Sequence, residues 1–186
     1  MSSGLAVSDH GVAGRRRKVP VVSAALVLLF APVAMAPSAS AHWWGSGLRT
    51  VIINITPYSY SNASYMTGMD RAIAGWNNTA TKVSISKNTN ALGYVRVNVY
   101  SDTWYGYFHG DGGSSAYIRL NQRTIGAAAT NLTNFVQSVL THEFGHAWQL
   151  DHVPSGTSSI MNEDRPRNSM VLPQSHDVSD VNSYFP

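Results

Sequence analysis

The sequence predicts an α/β (α+β) fold: a single domain with a twisted mixed sheet, a helix carrying a histidine cluster, and a C-terminal helix. Three observations lead there. Segments with strand and helix periodicity follow one another as strand, helix, strands, helix, the order of an α/β sandwich with one cleft. About 145 of the 186 residues follow an N-terminal export segment, ample for one domain with its own core. Cysteine is absent, so no disulfide contributes to holding that domain together.

Residues 1–41 read as a signal peptide and 42–186 as the mature domain. Arg15-Arg16-Arg17-Lys18 is a basic start, Val21 to Ala31 is apolar, Pro32 ends the run, and Ala39-Ser40-Ala41 is a cleavage site. Ala34-Met35-Ala36 offers a second site. The apolar run is short for a membrane span. The expectation is therefore a secreted, extracellular protein, beginning at His42, with no stable membrane association after cleavage. Only about seven residues separate Ala41 from the first strand, too few for a folded pro-domain. The signal segment holds four of the 13 basic residues and one of the 10 acidic ones. The remainder carries nine of each and is formally neutral, which argues against an electrostatic nucleic-acid footprint.

The elements follow in order. Arg49–Ile55 is rich in β-branched residues and reads as a buried strand. Ser64–Asn77 places Tyr65, Met66, Met69, Ile73 and Trp76 at helical spacing. Val83–Ser86 and Tyr94–Tyr100 alternate as strands. Asp102–Ser115 reads as a loop rich in glycine and aromatics, with Ile118–Asn121 as a further strand. Asn131 or Thr133 can cap the next helix, whose stripe Phe135, Val136, Val139, Leu140 and Ala147 would bury it in a core. The Trp43-Trp44 and Trp104-Tyr105 pairs read as core or cleft packing.

That helix carries His142-Glu143-Phe144-Gly145-His146, and His152 follows. Residues four apart lie on one helical face, so His142 and His146 can point two imidazoles at one ion. Glu143 sits one step round, off the ligand row but within reach of a water at that ion. His152 joins them only if the chain turns back after about Leu150. Three nitrogens and one open position are the ligand set of a catalytic zinc. The alternative, two surface histidines on an amphipathic helix, is disfavoured by the third histidine at this offset.

The motif, followed by Ser158-Ser159-Ile160-Met161, resembles the metzincin pattern H-E-x-x-H-x-x-G-x-x-H with its Met-turn. The chain looks like a zinc metalloprotease of the matrixin-like branch over about residues 48–186. The resemblance implies one catalytic Zn2+ on His142, His146 and His152, with Met161 as an apolar base beneath them. Glu143 would be the general base of an endopeptidase acting on protein or peptide substrates as a monomer. The stretch Tyr117–Asn121, with Ile118, Arg119 and Leu120, resembles the family's substrate-binding edge strand. Pro173 to Phe185 resembles its C-terminal helix, with Asp177, Val178 and Val181 at matching positions and Tyr184 close to the expected aromatic. His109-Gly110-Asp111 is similar to the His-x-Asp pair that matrixins use for a structural zinc. The other histidines of such a site are missing, and a loop histidine is the expected reading. Ca2+ on loop carbonyls with Asp111 or Asp102 is a further expectation the loop permits.

Three features depart from the family. Gln149 replaces the glycine that lets the chain turn toward the third ligand, at a cost of roughly 1–2 kcal/mol if it adopts positive φ. Glu163 stands where some branches have a tyrosine. No cysteine exists to block the zinc from a propeptide. Two other readings compete with the endopeptidase: a non-catalytic metal-binding or protein-binding module, and a zinc hydrolase with Glu163 as third ligand.

Overall fold

Alternating buried and exposed side chains build one five-stranded sheet in the computed structural model, which describes residues 45–58 and 62–186. The signal segment, His42 and Trp43-Trp44 lie outside the described residues. The strands are β1 (Ile52–Tyr58), β2 (Ser84–Lys87), β3 (Tyr94–Asn98), β4 (Gly106–Gly110) and β5 (Ala116–Asn121). They lie in the order β2-β1-β3-β5-β4. All neighbours are parallel except β4, which runs antiparallel to β5. On one face Ile53, Ile55, Val95, Val97, Phe108, Ile118 and Leu120 are buried. On the other, Arg96 lays its guanidinium over the rings of Tyr58 and Tyr94, 5.4 and 4.8 Å from their centroids. The Arg96–Tyr58 pair joins β3 to β1 across the ladder, and Tyr94 lies two residues along β3 on the same face.

The helices are α1 (Ala63–Asn77), α2 (Gln122–Ala128), α3 (Leu132–Ala147) and α4 (Ser175–Tyr184). Asn62 caps α1 and Asn131 caps α3, each accepting from a backbone N–H of the first turn. Helix α1 buries Tyr65, Met69, Ala72 and Trp76. Trp76 donates its indole N–H to the Thr141 carbonyl of α3 at 2.9 Å and meets Trp148 edge-on, 5.1 Å between ring centres. Two indoles packed in this way bury a large apolar area and set the spacing of α1 and α3. From Phe135 onward every side chain of α3 is buried, so the helix is a rigid support rather than a surface element. No helix among the described residues is long and apolar enough to cross a membrane.

Two expectations are corrected. The stretch 102–115 is not loop throughout, because Gly106–Gly110 forms β4. Its two glycines and single buried residue, Phe108, hide the strand period, but β5 offers it a free edge to pair with. Consequently β5 is interior, and Ile118, Arg119 and Leu120 are not the sheet edge. Ile118 and Leu120 are completely buried in the core, and Arg119 points to the outer face. The edge strand on that side of the sheet is β4. The short α2, capped by the Asn121 side chain, has no counterpart in the periodicity reading.

Candidate metal centre

The last two turns of α3 and the chain that follows it bring three imidazoles together. His142, His146 and His152 offer ligand atoms that all lie within 4.8 Å of one another, the one such group of three His, Cys, Asp or Glu residues among the described residues. Backbone contacts fix the rings. Nδ1–H of His142 donates to the Ile160 carbonyl at 2.9 Å, and Nδ1–H of His146 to the Leu150 carbonyl at 2.8 Å. A carbonyl can only accept, so in each ring Nδ1 carries the proton and Nε2 keeps its lone pair for a metal. Nε2 of His152 stands 3.2 Å from Nε2 of His142. With zinc–nitrogen bonds of about 2.0–2.1 Å, a tetrahedral ion separates its ligand nitrogens by about 3.4 Å. The donor set therefore fits a metal ion of that size.

The turn to His152 comes one residue before Leu150, at Gln149, which takes φ 71°, a conformation that favours glycine. Met161 is buried beneath α3 at Gly145, and Ser159-Ile160 is tied to α4. Asp177 accepts from the Ser159 hydroxyl, from the Ile160 N–H at 2.9 Å and from the Gln174 N–H at 2.7 Å. The C-terminal helix thus holds the carbonyl that orients His142. Glu163 lies behind His152: its Oε2 is 3.6 Å from Nδ1, the nitrogen other than the one facing His142. His109 stacks on Tyr117 and Asp111 accepts from the N–H groups of Gly113 and Ser115; neither joins the histidine cluster.

A cleft of about 470 Å³ opens over the cluster. Its floor is α3, with Val139, His142, Glu143 and His146. One wall is Thr103 to Phe108, including edge strand β4; the other includes Glu163, Arg165 and Arg167. Strand β4 passes so close to α3 that a Cβ on Gly106 would lie 2.4 Å from Oε1 of Glu143 and 2.7 Å from Val139 Cγ1. Only glycine permits that approach. Arg165 lies in the polar run Asn162–Arg167, whose composition gives no sign of burial. It is buried, donating from Nε to the Ser138 hydroxyl, from one terminal nitrogen to the Asn162 carbonyl and from the other to the Ser138 carbonyl. It pins the loop after Met161 to α3 one turn before His142. Arg167 spans the cleft, its guanidinium 5.0 Å from the Tyr105 ring centre.

Burial dominates the electrostatics. It pushes His142 well below its ordinary value and His146 down to about 4. It raises Glu143 to about 8, against the pull of Arg165 and Arg167. These shifts give the metal-free protein a pH signature. His146, depressed from 6.5, contributes stability that is lost as pH falls from 6.5 toward 4, and His142 acts in the same sense. Glu143, raised from 4.5, contributes stability present below 4.5 and lost as pH rises through about 8. The two effects oppose each other between 4.5 and 6.5, and from 6.5 to 8 Glu143 acts alone. Metal-free protein is expected to lose on the order of 2 kcal/mol between those two pH values, and Glu143→Gln to abolish the slope. Denaturant titrations at each pH measure it; a wild-type stability that stays flat across the window contradicts a buried, protonated Glu143.

No family model and no curated protein matches the sequence. Among solved structures, the chain is similar to the ECX AB5 holotoxin in its GM1-bound form, at 12% identity and a TM-score of 0.48, over 72% of this chain and 79% of that one. It is also similar to high choriolytic enzyme 1, a hatching-enzyme zinc protease of the medaka Oryzias latipes, at 14% identity and a TM-score of 0.47, over 80% of this chain and 96% of that one. At these identities and TM-scores the fold description rests on the strand order and helix positions given above.

Proposed function

We propose that this protein is a secreted zinc-dependent endopeptidase of the matrixin-like metzincin type, working as a monomer on protein or peptide substrates. The observation that carries the reading is the convergence of three imidazoles on one point, with a buried carboxylate beside them in an open cleft. Imidazole nitrogen is a preferred zinc donor, and three such donors leave one position open for chemistry. A zinc ion held there would act as a Lewis acid, polarising a substrate carbonyl and acidifying a water. Glu143 takes the proton from the attacking water and delivers it to the departing amine. Arg165 and Arg167 offset the burial of Glu143 and keep its ionised form within reach at neutral pH. The substrate lies extended along β4, the sheet edge facing the cleft, in place of the interior β5. A non-catalytic binding module has no use for Glu143 in that position.

The test is casein digestion by the mature protein, with metal analysis, before and after a chelator. The expected result is one zinc per chain, proteolysis lost on chelation and restored by added zinc. Proteolysis indifferent to the chelator, or stoichiometric zinc without hydrolysis of any peptide library, sinks the reading.

A further inference from the structure

We infer that Gln149 is a positioning residue for the metal centre: its side chain clasps the segment Gly47-Leu48 and so holds the turn that sets two of the three histidines. The inference rests on the metal-binding reading above. A non-glycine residue at φ 71° is strained and persists only where its surroundings over-determine it. Those surroundings are specific. The Gln149 side chain is almost fully buried. Its Oε1 accepts from the Gly47 N–H at 3.1 Å, and its Nε2 donates to the Leu48 carbonyl at 3.0 Å. The Leu48 N–H donates to the Ala147 carbonyl at 2.8 Å, one of the acceptors left open where α3 ends. The Leu48 side chain is completely buried. A Cβ on Gly47 would lie 2.6 Å from both the Gln149 nitrogen and the His146 carbonyl oxygen, so the segment sits flat on the turn.

What the turn delivers is chemistry. Its next residue, Leu150, donates its N–H to the Gly145 carbonyl at 3.1 Å and supplies the carbonyl that fixes the His146 ring. Two residues further on, the chain presents His152. A glycine at 149 would reach the same φ by being unconstrained. The glutamine reaches it by being held, and the hold is made by residues about 100 positions earlier in the chain. The three-histidine cluster is thereby coupled to the segment before β1, which supplies none of its imidazoles.

Two variants test this from opposite sides. Gln149→Gly keeps the positive φ without strain and should fold, but it removes both side-chain bonds. Gly47→Ala leaves Gln149 intact and pushes the segment off the turn. Each is expected to raise the zinc dissociation constant about tenfold or more in a competition titration against a chromophoric chelator, the range found for partners that orient metal ligands. Amide exchange in the metal-free protein reads the clasp separately. Protection at Leu48 and Leu150 should fall in Gln149→Gly. Both variants binding zinc as tightly as wild type overturns the inference. Wild-type protein that binds no zinc overturns the metal reading instead; the clasp then stands or falls on the exchange at Leu48 and Leu150, and unchanged protection there overturns it.

Discussion

Glu143→Gln is expected to lower peptide hydrolysis by about 10²–10⁴-fold, the usual contribution of a positioned general base, while zinc content and fold stay near wild type. The substitution is nearly isosteric, and Glu143 is not one of the three clustered histidines. Its carboxylate lies on the cleft floor beneath Gly106, almost fully buried. The amide can still accept and donate hydrogen bonds there, but it cannot take a proton from water at any accessible pH. The neutral amide also stands in for the protonated acid that burial favours, so the metal-free variant should be at least as stable as wild type above pH 6.5. The measurement is turnover of a fluorogenic peptide by protein brought to one zinc per chain. Full turnover in the zinc-replete variant removes Glu143 from the reaction. Loss of zinc together with turnover assigns it to the structure of the site instead.

The parts of this site that the sequence discloses are those joined by short spacings. The four-residue spacing from His142 to His146 fixes a shared helical face, and the apolar stripe of α3 fixes which way that face turns. Helix α1 was legible for the same reason. What stayed hidden depends on partners far along the chain. Gly106–Gly110 is a strand only because β5 leaves an edge to pair with, and its own pattern of two glycines, two exposed residues and one buried phenylalanine has no readable period. Arg165 sits in a polar run that reads as solvated loop, yet Ser138, 27 residues earlier, draws its guanidinium into the core. Gln149 was visible as a departure from glycine, but the compensation lies across a separation of 101 and 102 residues. Local periodicity thus pairs His142 with His146 on one helical face, and long-range pairing decides what surrounds them.

The second large effect separates His152 from Glu163. His152→Ala is expected to weaken zinc binding by more than the 10–100-fold typical of outer-shell partners, because it removes a donor from the cluster itself. His152 Nε2 stands 3.2 Å from His142 Nε2, whereas Glu163 approaches only the opposite nitrogen of the ring, at 3.6 Å. Both partners of that outer contact are largely exposed, with side-chain accessibilities of 41% and 69%. An exposed charge contact is worth about 0–1 kcal/mol, so Glu163→Gln should shift the zinc dissociation constant by no more than about fivefold. Competition titrations on both variants give the ratio directly. If His152→Ala retains zinc and Glu163→Gln loses it, the carboxylate is the third ligand. For that, the loop after Met161 would have to bring Glu163 past the imidazole it now stands behind, and Arg165, bonded at all three nitrogens to Ser138 and Asn162, holds that loop in place against such a shift.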